Sequence, residues 1–148
     1  MPRPMAPSGF VKPTLDTRFH IDYEWWERSS HDLALYMVGH LCAEHKEQFA
    51  TNPPEEAQID WIDPQTGQVL RVDPLRYTLL THCCHQPDFI SGRTSLVDSV
   101  FRALLAAGNR PMTPVELAER TGRPAETILR TLSGEEVYRG LRPFIEDT

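Results

Sequence analysis

Cysteine is scarce in this sequence and oddly numbered: three in 148 residues, two of them adjacent at Cys83 and Cys84. An odd count with a vicinal pair does not build the even-numbered disulfide framework of a small secreted domain. Long apolar runs are missing, and none approaches the roughly 18 residues needed to span a bilayer. The first residues, Met1-Pro-Arg-Pro-Met-Ala-Pro, lack the apolar stretch of a signal peptide. The expectation is a cytoplasmic protein with no membrane partner. A glycine-rich phosphate loop, a Gly-x-Ser-x-Gly elbow and a paired-carboxylate signature are absent, so no enzymatic activity is expected. No internal repeat is visible.

Positive charge is also in short supply, with 15 Lys and Arg against 21 Asp and Glu. A net charge of −6 argues against general affinity for nucleic acid, because phosphate neutralisation drives most non-specific binding. The deficit is local. Residues 1–92 hold seven basic and thirteen acidic side chains, whereas residues 93–148 hold eight of each. The last third is therefore neutral, and charge neither supports nor excludes DNA contact there.

What is present reads as a globular chain cut into short pieces by thirteen prolines. Hydrophobic content of 40% is enough for a packed core. Residues 1–18 read as an extended, proline-rich arm. Asp22 is placed to cap a short turn carrying Trp25 and Trp26, with Phe19 and Ile21 leading in. Adjacent tryptophans cannot both face inward from one helix, so one belongs at an interface, against the arm or another subunit. Ser29 and Asp32 resemble a capping box ahead of a helix over 30–49, where apolar residues recur at 33, 34, 37, 38 and 41. Residues 59–73 read as a β-hairpin turning at Pro64-Gln65-Thr66-Gly67. A helix from Pro74 to about Cys84 follows, and then a helix over 95–107 capped by Thr94. The expected class is mostly α (α+β). It divides into the arm, an α+β region over 19–92, and a three-helix unit over 93–148.

Cys42 and His45 share a helical face at i and i+3. His82-Cys83-Cys84-His85 follows about forty residues later. If the helices bearing the two groups pack together, thiolates and imidazoles converge on one ion. Zinc is then favoured, with an iron–sulfur cluster as the softer-ligand alternative. The expected set is Cys42, His45, Cys83 and Cys84, with His82 or His85 as substitutes and His40 as an outsider. Cys83 and Cys84 become available if the second helix unwinds at Thr81. Against any metal stands ordinary burial, because free cysteine is among the most buried residue types. A redox role for the vicinal pair is a further alternative.

The segment from Met112 to Leu132 carries the strongest local pattern. Thr113, Pro114 and Glu116 open a short helix, Gly122 supplies a tight turn, and Pro124 opens a second helix with Ile128, Leu129 and Leu132 on its inner side. Two short helices behind a longer apolar one follow the plan of DNA-binding helix-turn-helix domains. The phrase Thr-Pro-x-Glu-Leu-Ala-x-x-Thr-Gly resembles the second helix of winged-helix regulators, and the resemblance covers about fifty residues. It implies a short wing hairpin over 137–144. It also implies groove-facing candidates at Arg123, Thr127, Arg130 and Thr131, with Arg139 and Arg142 on the wing. Glu126 would repel phosphate. The leading expectation is a metal-stabilised helix-turn-helix regulator that contacts DNA. The alternative is a non-enzymatic interaction subunit that docks a protein or a second copy, with a possible iron–sulfur or redox-sensing site.

Overall fold

The computed structural model describes residues 12–51, 59–64, 66–72 and 74–145. Among the described residues, seven helices and two small antiparallel sheets make a mostly α, α+β fold, as expected. The first eleven residues of the expected arm lie outside the described residues, and Thr14 to Thr17 form a tight turn ahead of the first strand.

Strand β1, Phe19–Ile21, runs straight into α1, Tyr23–Arg28. The Asp22 carboxylate accepts from the backbone N–H of Glu24 and Trp25, satisfying donors that a helix start leaves open. Of the two tryptophans, Trp26 is buried and Trp25 is half-buried. Two helices replace the single one expected over 30–49: α2, Leu33–Val38, and α3, Ala43–Thr51. Asp32 caps α2, while Ser29 ends α1 and takes no part in a capping box. At the break the chain tightens, with His40 and Leu41 N–H bonding to the Met37 and Val38 carbonyls three residues back. The Gly39 carbonyl, which a continuous helix would bond to residue 43, accepts from Arg102 at 3.4 Å.

The hairpin is β2, Ile59–Ile62, and β3, Val69–Val72, in the register Asp60↔Arg71 and Ile62↔Val69. Gly67 holds the positive φ of 76° that its turn requires. Helix α4, Pro74–Thr81, stops one residue before the Cys/His run, and a single 3-10 turn over Cys83–His85 follows. Helix α5, Leu96–Ala106, is the central element, with Val100, Phe101, Leu104 and Leu105 buried. Its cap is Ser95, not Thr94. Helices α6, Pro114–Thr121, and α7, Ala125–Leu132, flank a left-handed Gly122 at φ 74°. Thr113 and Glu116 form the reciprocal capping box read from the sequence.

The wing hairpin expected over 137–144 does not form. Residues 138–141 make a turn, with Arg139 and Gly140 at positive φ, and β4, Leu141–Pro143, then pairs with β1. Phe19 also exchanges both backbone hydrogen bonds with Met112, between α5 and α6. The Asn109 amide completes that edge: its Oδ1 accepts from Ile21 N–H at 2.7 Å, and its Nδ2 donates to the Ile21 carbonyl at 2.9 Å. A strand from the beginning of the chain thus lies between Met112 and β4. One apolar core, including Phe19, Met37, Leu79, Phe101, Ile128 and Leu141, runs across the 19–92 and 93–148 regions.

Candidate metal centre

Cys42 stands at the N-terminal boundary of α3, where its carbonyl accepts from Lys46 N–H, and His45 lies in the first turn. The spacing of three places both side chains on one face. The second pair comes from the end of α4. His82 N–H still bonds back to the Thr78 carbonyl, and the chain then tightens into the 3-10 turn that begins at Cys83. Changing from α to 3-10 geometry rotates Cys83 toward Cys42. Cys84 is carried the other way, and its thiol donates to the Leu80 carbonyl at 3.3 Å.

Four ligand-type atoms, one each from Cys42, His45, His82 and Cys83, all lie within 4.8 Å of one another. Cys42 Sγ is 3.2 Å from His45 Nδ1, 3.7 Å from His82 Nδ1 and 3.6 Å from Cys83 Sγ. Cys83 Sγ is 3.6 Å from His45 Nδ1, and the two imidazoles meet at 4.4 Å between ring centroids. With Zn–S near 2.3 Å and Zn–N near 2.0–2.1 Å, a tetrahedron has S···S edges of about 3.8 Å and S···N edges of about 3.6 Å. These four edges lie within about half an ångström of those values, and the other two are no longer than 4.8 Å. The residues present therefore fit one tetrahedral ion.

Burial pushes the Cys83 thiol up to about 11, with Cys42 close by, and burial raises Cys84 too. A metal at this site has to displace the Cys83 proton, so binding is coupled to proton release. Cys83 is fully buried, whereas Cys42, His45 and His82 are half-buried, which leaves a path for an ion.

His82 thus takes the place expected for Cys84, and His85 is exposed outside the cluster. His40 is not a ligand either. It is 3% exposed, stacks on Phe101 and accepts at Nδ1 from Arg102 Nε at 2.8 Å. Burial, with Arg102 beside it, lowers its pKa to about 4, so the ring is neutral at physiological pH.

The candidate DNA-contacting residues differ in their surroundings. Arg123 donates to the Thr94 carbonyl, Arg139 lies 4.6 Å over the Tyr36 ring, and Arg142 pairs with Asp22 at 3.2 Å. The Thr131 hydroxyl bonds back to the Thr127 carbonyl, Thr127 is half-buried, and Arg130 is exposed on α7. Two residues with no marked sequence signal prove to be connectors. Arg102 reads as one polar position on an apolar helix, and Asn109 reads only as a helix stop. No protein-family model, curated protein or solved structure matches this chain. Among the described residues no helix is long and apolar enough to cross a membrane.

Proposed function

We propose that this chain is a zinc-stabilised, non-enzymatic interaction protein whose C-terminal three-helix unit docks a partner protein. The observation that carries the metal half is the spacing of Cys42, His45, His82 and Cys83. Four protein ligand atoms within 4.8 Å of one another are enough to saturate zinc with no open position for substrate or water, as in structural sites. A two-iron cluster would hold its cysteine pair and its histidine pair on separate irons. Here both sulfurs lie within 3.7 Å of an imidazole nitrogen, which suits a single ion. Elemental analysis of purified protein checks this: one zinc per chain is expected. Iron with absorption near 400 nm, or no metal at all, would sink it.

Docking to protein is favoured over docking to nucleic acid by what surrounds the helix pair. Three of the four candidate arginines are held within the chain. The 690 Å³ groove beside β4 and the end of α7 is bordered by Glu24, Glu135, Glu136 and the Asp22–Arg142 pair, with Phe144 and Ile145 exposed along it. A partner with basic and apolar side chains suits that surface; a phosphate backbone does not. Stable co-purification of one protein, free of nucleic acid, is the expected result. DNA contact is the second reading, favoured by Arg130 exposed on α7 in a three-helix setting. Binding to DNA fragments that weakens steeply with salt would replace the first reading by the second.

A further inference from the structure

Arg102, on α5, bonds to stretches that flank both ligand pairs. Its Nε donates to His40 Nδ1 at 2.8 Å, and its Nη2 donates to the Gly39 carbonyl at 3.4 Å, two and three residues ahead of Cys42. Its Nη1 donates to the Phe89 carbonyl at 2.6 Å, six residues beyond Cys83, and the guanidinium lies 5.2 Å from the Phe89 ring centroid. The donors of one planar fork thus fix the stretch that enters the Cys42/His45 pair and the stretch that leaves the His82/Cys83 pair. Lysine, a single-point donor, cannot reproduce that. The same surface of α5 carries Asp98, which accepts from the Tyr36 hydroxyl, and Phe101, which stacks on His40. Tyr36 in turn lies under Arg139, in the turn that follows α7. A chain of polar and aromatic contacts therefore runs from His40, two residues ahead of Cys42, through α5 to the C-terminal turn.

We infer that Arg102 is a positioning residue that preorganises the metal centre, and that through it metal occupancy is linked to the order of α5, α6 and α7. The inference rests on the four-ligand metal reading above. An arrangement held by Arg102 binds the ion more tightly, and by reciprocity a bound ion holds α5 more firmly. Groups that orient metal ligands without touching the metal typically change affinity about 10–100-fold when removed.

The test uses the full chain, zinc alone as the probe, a competing chromophoric chelator and backbone hydrogen exchange. Arg102→Met, which keeps the stem and removes every donor, is expected to weaken zinc binding about 10–100-fold. Arg102→Lys is expected to fall between it and the wild type. In the wild type, removing zinc is expected to speed exchange at amides of 96–106 and 114–132 as well as at 42–51 and 78–85. In Arg102→Met the response at 114–132 is expected to be lost. Far-UV circular dichroism checks that each variant is folded; should Arg102→Met unfold, Arg102→Lys carries the test with a loss of about three-fold or more. A folded variant with wild-type zinc affinity overturns the positioning role. Unchanged exchange at 114–132 on zinc removal from the wild type overturns the linkage. Failure of the wild type to bind zinc overturns the metal reading instead, and this inference falls with it.

Discussion

Cys42 and His45 were legible as a pair because both sit on one short helical stretch, where spacing alone sets the shared face. Their partners were not. Whether His82, Cys83, Cys84 or His85 turns inward depends on where α4 stops and how tightly the next turn winds, and four consecutive candidates carry no period that decides it. The outcome makes a sharp prediction. His82→Ala is expected to weaken zinc binding at least 10-fold, whereas Cys84→Ser, which replaces a thiol bonded to the Leu80 carbonyl, leaves it within about two-fold. Chelator competition on the two variants separates this set from one using Cys84. His40 gives a second residue-scale expectation. Its folded-state pKa of about 4 lies below the ordinary value of 6.5, so the unfolded chain binds the proton first as pH falls. Stability is then present above pH 6.5 and is lost as pH falls toward 4, by on the order of 3 kcal/mol. Urea denaturation of metal-free protein across that range would show it, and a wild-type slope unchanged in His40→Gln would count against this assignment.

At the scale of elements, caps and turns were the most readable features. Asp22, Thr113 with Glu116, Gly122 and Pro124 act where their local chemistry places them, because each satisfies or avoids backbone groups within three residues. The second helix was misread as one piece. Its interruption at Gly39 is sustained by Arg102, sixty-three residues away, and nothing in the local sequence reports a distant guanidinium. The turn after α7 was misread as half of a hairpin. Gly140, at φ 75°, lies where an added Cβ would come within 2.8 Å of Trp26 Nε1 and 3.0 Å of the Asp22 carbonyl. The indole N–H there donates to the Arg139 carbonyl, and Asp22 N–H donates to that of Gly140. Gly140→Ala combines an unfavourable φ with a backbone clash and is expected to cost about 2–4 kcal/mol of stability. A midpoint within 1 °C of wild type in thermal unfolding would show that the turn yields without strain.

Taken as a whole molecule, the C-terminal unit borrows from the beginning of the chain. Phe19 and Ile21 are 0% and 1% exposed, and β1 occupies the place beside β4 that the C-terminal segment was expected to fill with its own hairpin. Without β1, the Met112 backbone, the Asn109 amide and the inner edge of β4 lose their partners together. Residues 93–148 expressed alone are therefore expected to lack a cooperative fold. A narrow amide dispersion in an NMR spectrum would bear this out; a dispersed spectrum with a sharp unfolding transition would show that the three helices suffice.

The sequence by itself determined the class, the caps at Asp22 and at Thr113 with Glu116, the hairpin with its Gly67 turn, the Gly122 corner and one half of the Cys/His cluster. Each of these rests on interactions within a few residues or on a repeating apolar period. Only the tertiary structure decided that His82 and not Cys84 faces Cys42, that β1 pairs with β4, and that Arg102 binds the segments flanking both ligand pairs. These contacts join positions 13 to 124 residues apart along the chain. They are selected by which buried donors and acceptors find one another once the core has closed, and that selection leaves no period or spacing to read in advance.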